Sequence, residues 1–168
     1  KGVRHIVQAE SDPEFMLRPA FLDGLEVLSQ NNLTYDILIY APQLPMAVEC
    51  VKKNPNLKFV IDHIAKPVIG QIPDEFWTRQ ISLLGEIPNV YCKISGMVTE
   101  ATANPDYSKF MDVVAENFGT DRLMFGSDWP VCLVKEPYAG TKKLVENYFS
   151  DNERQKIMGQ NAADFYGI

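Results

Sequence analysis

Two ionisable side chains end separate apolar runs of the sequence: His63 closes KFVIDH, and Asp128 closes RLMFGSD. A histidine there could ligate a metal, polarise a carbonyl group or shuttle a proton. A carboxylate that follows apolar residues is costly unless it is paired, hydrogen-bonded or metal-bound, and it could deprotonate a water molecule. Structural roles stay open for both, because His63 could bond to the backbone and Asp128 could cap a helix. We take them as candidate catalytic residues.

Further polar residues lie on or beside the other apolar runs. In NVYCKIS, alternation places Tyr91, Lys93 and Ser95 on one face. Lys93 could hold an anionic or hydroxyl-rich substrate, or it could equally form a buried ion pair. Arg4 and Gln8 share a face of RHIVQ, where Arg4 is a candidate substrate contact or an interior polar group.

Three other residues have weaker signals. Arg18, directly before Pro19, is a candidate anion contact, although a solvated surface arginine is the simpler interpretation. His5 is expected to contact the helical layer, on the side opposite Arg4. Trp77 lies on a helical stripe and is expected to serve packing rather than a site.

The elements that must position these residues alternate between short apolar runs and longer amphipathic segments. Strands are predicted at the following five runs: 4–8, 34–40, 58–63, 89–95 and 122–128. Helices are predicted at the following segments: 19–30, from 45 to about 54, 73–87, 105–118, 138–149 and 151–165. This order indicates a parallel α/β sheet, with ligands expected at the carboxyl ends of the strands. Periodicity alone does not separate an open doubly wound sheet from part of a barrel.

Alternation also makes a prediction about the Asp62-His63 pair. Phe59, Ile61 and His63 should share one face of their strand. If His63 faces a barrel interior, Asp62 should point toward the helices or lie on a bend.

Composition restricts the class of protein. The chain has 168 residues, a formal net charge of −6 and no basic cluster, so a nucleic-acid footprint is not expected. No apolar run approaches the roughly 20 residues that span a bilayer. Cys50, Cys92 and Cys132 lack metal-site spacing and are expected to be buried thiols in a reducing cytoplasm. No shift of composition marks a second domain, so residues 1–168 are expected to form one.

Three segments together carry a family resemblance. FVIDHIAKP, YCKISGMVTEA and RLMFGSDWPVC resemble the amidohydrolase-2 type of the amidohydrolase superfamily, and in particular its sugar-lactonase group. That group includes enzymes similar to L-fuconolactonase and pyrone-dicarboxylate lactonase. The closing IMGQNAADFYGI is similar to its last helix, and RHIVQAE, FLDGLEVL and YAPQLPMAV follow its order.

The resemblance implies a (β/α)8 barrel of which this chain forms strands four to eight, the C-terminal portion. It implies that His63 is the site histidine and that Asp128 activates the hydrolytic water. Lys93, Ser95 and Trp129 are implied to lie near the site. It also implies a small-molecule partner. For the cofactor it leaves two possibilities: zinc or another divalent metal bound by His63 and Asp128, or none.

One family feature has no counterpart here. The family's first strand carries a His-x-His pair, whereas the only histidines are His5 and His63. We therefore expect strands one to three to be missing, with two open sheet edges that promote homo-oligomer formation or are covered by an N-terminal part. Activity of the isolated chain is then not expected.

Three functions follow as hypotheses. The first is hydrolysis of a sugar-acid or related lactone by water attack on the ring carbonyl. The second is a metal-dependent decarboxylase of an aromatic or unsaturated acid on the same scaffold. The third is a non-enzymatic α/β binding module, which would not explain the polar residues at the strand ends.

Overall fold

Five short segments pair in parallel to form one sheet in the computed structural model, which describes residues 1–168. The strands are adjacent in the order of the chain. Their bounds are β1 (Gly2–His5), β2 (Thr34–Ile37), β3 (Phe59–Ile61), β4 (Val90–Ile94) and β5 (Leu123–Phe125). The prediction of a parallel α/β sheet is therefore confirmed.

Helices fill the connections between the strands. Their bounds are α1 (Pro19–Gln30), α2 (Leu44–Lys53), α3 (Glu75–Gly85), α4 (Tyr107–Phe118), α5 (Tyr138–Glu146), α6 (Asp151–Gln155) and α7 (Asn161–Tyr166). The single helix predicted over 151–165 is interrupted by a π-helical turn at Lys156–Gln160. A π turn inserts a wider hydrogen-bonding ring, which apolar spacing does not reveal.

The outer face of the sheet is the face that the connecting helices cover. Phe59, Ile61 and Cys92 on this face belong to one apolar core with residues of α1, α2, α3 and α4. All four crossover helices thus contribute to the same core. In a doubly wound sheet the crossover helices lie on both faces, whereas in a barrel wall they all lie on one. The structure resolves the ambiguity that periodicity left.

The inner face of the sheet is the opposite face, and it carries charged residues. The strand register places Arg4 beside Asp36, and it places Lys93 beside Met124. Helix α7 packs against part of this face, where the rings of Phe165 and Tyr91 lie 4.8 Å apart. The inner face therefore combines an apolar patch with a group of charges.

Each strand is shorter than predicted at its carboxyl end. The run 4–8 is a strand only to His5, and a 3-10 turn over Val7–Ala9 follows. The run 58–63 is a strand only to Ile61, and another 3-10 turn follows at Asp62–Ala65. The backbone turns where the candidate residues lie, so their directions do not follow strand alternation.

Three further expectations can be compared with the fold. All three cysteines are free and buried, as predicted. No helix combines the length and apolar character needed to cross a bilayer. The edge strands β1 and β5 each have a paired neighbour on one side only, which confirms the two open edges.

Arg122 links the start of β5 to α3 and β4 through hydrogen bonds. Its guanidinium donates to the carbonyl oxygens of Gly85, Ile87 and Val90 at 2.7, 3.0 and 2.9 Å. These bonds join the end of α3, the start of β4 and the start of β5. We expect Arg122→Met to lower the free energy of unfolding by about 2 kcal/mol or more, because it leaves carbonyl groups without a charged donor.

The measurement is urea unfolding, with Arg79→Met as the matched control. Arg79 is exposed on α3, so its replacement should change stability by less than about 0.5 kcal/mol. Equal stability of the two variants would show that the Arg122 bonds contribute nothing net.

Candidate active site

A left-handed turn follows β3 and carries His63. His63, Ile64, Ala65 and Lys66 have φ angles of 55°, 47°, 60° and 48°. An L-residue in this conformation costs about 1–2 kcal/mol, so four in succession require support from their surroundings. The support includes a hydrogen bond from the Lys66 N–H to the His63 carbonyl at 2.8 Å and full burial of Ile64 and Ala65.

The turn corrects the prediction about strand faces. Phe59 and Ile61 lie in the helix-covered core, so an extension of the strand would have directed His63 there as well. The left-handed turn instead directs the His63 ring toward the ends of β4 and β5. Asp62 lies at the start of the bend, one of the two positions expected for it, and it contacts inner-face cations rather than the helices.

His63 contacts residues that follow the next two strands. Its Nε2 lies 3.5 Å from Oδ1 of Asp128, and its Nδ1 lies 2.8 Å from Oγ of Ser95. The side chains of His63 and Asp128 are only 11% and 12% exposed. The two groups that the sequence singled out therefore converge in one pocket at the carboxyl edge of the sheet.

Burial sets the protonation of His63. Desolvation lowers the pKa of the imidazole below its ordinary value, and this exceeds the opposite effect of the Asp62 and Asp128 carboxylates. Lys66 and Lys93 add to the lowering. A lowered pKa keeps the imidazole neutral near neutral pH, which leaves one ring nitrogen as a donor and the other as an acceptor.

Two glycines permit the close approach of these residues. A Cβ atom at Gly96 would lie 2.7 Å from the Cβ of His63, and one at Gly126 would lie 2.8 Å from the Cβ of Ser95. Gly96 also has a φ of 65°, which side-chain-bearing residues rarely adopt. Neither glycine was a candidate from sequence, although Gly96 lies inside YCKISGMVTEA and Gly126 inside RLMFGSDWPVC.

A group of four alternating charges lies beside the pocket on the inner face. Asp62 is 1% exposed, and its two oxygens contact the guanidinium of Arg4 at 3.0 Å and the ammonium of Lys93 at 2.8 Å. Lys93 also contacts Asp36 at 2.5 Å. Burial lowers the pKa of Lys93, but the carboxylates of Asp62 and Asp36 outweigh burial and raise it overall.

Lys93 therefore forms the buried ion pair that was one of its two predicted roles. Its role as a substrate contact stays a prediction. Tyr166 completes the group, since its hydroxyl donates to Asp36 at 2.7 Å and its ring lies 5.5 Å from the Lys93 ammonium. Asp36 could have been identified from the sequence, because it is an acid within the apolar run TYDILIY. Nothing in the sequence marks Tyr166 as a member of this group.

The remaining candidates lie apart from His63 and Asp128. Arg4 is half exposed and bonded to Asp62. Arg18 pairs with Asp12 at 2.6 Å inside its own loop, so its charge is already balanced there. Trp129 is adjacent to Asp128 in sequence, but its side chain is 64% exposed. Substrate contacts by these three residues stay predictions.

His5 and Trp77 have structural environments. The His5 ring stacks on Phe15 at 5.1 Å, and its Nε2 lies 2.6 Å from Glu10. Trp77 is buried, as expected for a packing residue, but its indole nitrogen also donates to the carbonyl of Ile64 at 2.8 Å. The second contact was not predicted.

The residues of this chain do not form a metal site by themselves. His63 and Asp128 are two candidate ligands, and no group of three or more His, Cys, Asp or Glu side chains could hold an ion. Zinc sites in proteins take three or four protein ligands. The nearby carboxylates Asp36 and Asp62 are already paired with Lys93.

Comparisons with known proteins agree on one family. A family model described as amidohydrolase matches residues 1–168. L-fucono-1,5-lactonase of Burkholderia ambifaria is 31% identical over an alignment of 178 residues, which covers 100% of this chain and 61% of that protein. L-rhamnono-gamma-lactonase of Scheffersomyces stipitis is 29% identical over an alignment of 200 residues, which covers 100% of this chain and 59% of that protein.

A solved structure is similar over the same extent. The crystal structure of an amidohydrolase from Burkholderia multivorans with bound zinc has 33% sequence identity and a TM-score of 0.92. The match covers 100% of this chain and 64% of that one. The chain thus spans less than two thirds of the length of each of these three proteins.

Gly96 provides a test of the packing around His63. Gly96→Ala places a methyl group against the imidazole and adds backbone strain, so it should lower the free energy of unfolding by about 2–4 kcal/mol. Gly167→Ala is the matched control, since Gly167 is left-handed, with φ 63° and ψ 54°, but has nothing within 4 Å of an added Cβ. It should cost about 1–2 kcal/mol, the strain alone.

Urea unfolding of both variants gives the comparison. A Gly96 variant no less stable than the Gly167 variant would contradict the close packing of His63.

Proposed function

The chain belongs to the amidohydrolase family, and we propose that the protein hydrolyses the lactone of a sugar acid. The single observation that carries this proposal is the 3.5 Å separation of His63 Nε2 and Asp128 Oδ1 in a mostly buried pocket. The similarity to two proteins named as sugar lactonases supports this substrate class. Because the chain spans less than two thirds of those relatives, the proposal concerns the activity of the whole protein.

Water is the nucleophile in the proposed reaction. The Asp128 carboxylate accepts a proton from the water as its oxygen bonds to the ring carbonyl carbon, which gives a tetrahedral intermediate. The bond between that carbon and the ring oxygen then breaks, and Asp128 returns the proton to the departing oxygen. The product is the open hydroxy acid, so atoms and charges balance.

His63 stabilises the charge that develops on the carbonyl oxygen. A carboxylate on the Nε2 side favours the tautomer with its proton on Nε2, and the Ser95 hydroxyl then donates to Nδ1. The 3.5 Å contact with Asp128 is longer than an ordinary hydrogen bond, so the Nε2–H group remains free to donate to the oxygen of a carbonyl that binds beside Asp128. A prepositioned donor in a site that is mostly closed to water is worth more than one in solution.

The two other hypotheses are not favoured. No observation points to a decarboxylase, whereas relatives that match the full length of the chain are named lactonases. A binding module without catalysis would not require His63 and Asp128 to be buried against each other.

Asp128→Asn tests the role of the carboxylate. The amide cannot accept the proton of water, so kcat for lactone hydrolysis should fall by about 10²–10⁴-fold. Opening of an L-fucono- or L-rhamnono-lactone, followed by acid release in a weakly buffered solution with a pH indicator, measures the rate.

The matched control is Asp121→Asn. Asp121 lies before β5, at the end opposite Asp128, and pairs with Lys156 at the surface. Its replacement should leave kcat within about twofold of the parent. A near-parental rate in the Asp128 variant would exclude Asp128 as the base.

A further inference from the structure

We propose that Trp77 is a positioning residue for the reaction, which fixes the left-handed turn that carries His63. This inference rests on the proposed function. The indole Nε1 of Trp77 donates to the carbonyl oxygen of Ile64 at 2.8 Å, and the Trp77 side chain is 1% exposed. Ile64 is the residue directly after His63, so the bond acts at the backbone of the catalytic turn.

The turn needs an external anchor because its own conformation is unfavourable. Four successive L-residues have positive φ, and the backbone bonds that close the turn include one from the Lys66 N–H to the His63 carbonyl. Such a backbone persists only where the surrounding structure determines it. The Trp77 bond supplies a donor to a carbonyl that the turn would otherwise leave buried without a partner.

Trp77 is itself held in place by two helices. It lies in the first turn of α3, where its backbone N–H donates to Oδ1 of the capping residue Asp74 at 3.1 Å. Its ring lies 5.5 Å from the ring of Phe110 on α4. The direction of the indole N–H is therefore set by the helical layer. Its hydrogen bond to Ile64 fixes the turn relative to that layer.

The other side of the His63 ring is fixed independently. Ser95 bonds to Nδ1, and Gly96 lies against the Cβ and ring atoms. Without the anchor at Ile64, the turn can relax toward ordinary φ angles, which rotates the imidazole away from Asp128. Misplacement of a catalytic group by about 1 Å can cost about 100-fold in rate.

The test compares Trp77→Phe with Leu84→Val in the whole protein. Trp77→Phe keeps an aromatic ring but removes the donor, so kcat for lactone opening should fall about tenfold or more while KM changes less than about twofold. Leu84 is a buried residue of the same core, farther along α3, so Leu84→Val disturbs the core but retains the indole N–H, and its kcat should stay within about twofold of the parent. Equal losses of kcat in the two variants would overturn the proposal.

A second readout does not depend on the substrate. The imidazole NMR signals of His63, assigned by their loss in a His63→Asn variant, should shift in Trp77→Phe while those of His5 stay in place. Unshifted His63 signals would overturn the positioning role. If the His63 signals shift in Trp77→Phe but the parent protein opens no lactone, the proposed function would be excluded and the positioning role would stand.

If Trp77→Phe does not fold, a closer isostere of tryptophan provides the test. Substitution of β-(3-benzothienyl)alanine at position 77 keeps the bicyclic ring and replaces only the N–H group with sulfur. The same loss of kcat and the same shift of the His63 signals are expected. A parental kcat in this variant would overturn the proposal.

Discussion

The left-handed turn after β3 is the constraint on which the site depends. Without it, the alternation of the strand would carry His63 into the helical core with Phe59 and Ile61. With it, the imidazole reaches Ser95 and Asp128 across the ends of two neighbouring strands. Four residues in a strained conformation would cost roughly 4 kcal/mol or more together, and the helical layer offsets that cost through burial and the Trp77 bond.

The charged group on the inner face forms a separate layer beside the site. Arg4 and Lys93 balance the carboxylates of Asp36 and Asp62, so the group has no net charge. Removing Lys93 would leave the Asp36 carboxylate without a cation, which is far more costly than the net value of the pair. Because Asp62 precedes His63 directly, its pairing with β1 and β4 fixes the point at which the left-handed turn begins.

Much of the fold and part of the site could be predicted from sequence. Alternating apolar runs and amphipathic segments gave the parallel sheet, and the resemblance to a family barrel is borne out by the family match and the TM-score of 0.92. His63 and Asp128 stood out because an ionisable group that ends an apolar run requires a partner. In the structure the two groups lie 3.5 Å apart.

Other features have no local signal. Strand alternation wrongly placed His63 on the face of Phe59 and Ile61, because a left-handed turn made by four residues other than glycine has no signature in sequence. Tyr166 reaches Asp36 from 130 residues away, and Trp77 reaches Ile64 through a single indole nitrogen. Such contacts follow from tertiary packing, which spacing along the chain does not encode.

The central claim is that His63 and Asp128 act as one unit on one reacting group. A double-mutant cycle in kcat/KM with His63→Asn and Asp128→Asn tests it most directly. We predict that the double variant is about as active as the slower single variant, because groups that act together in one transition state lose their effect together. A double variant whose loss equals the product of the two single losses would contradict the account.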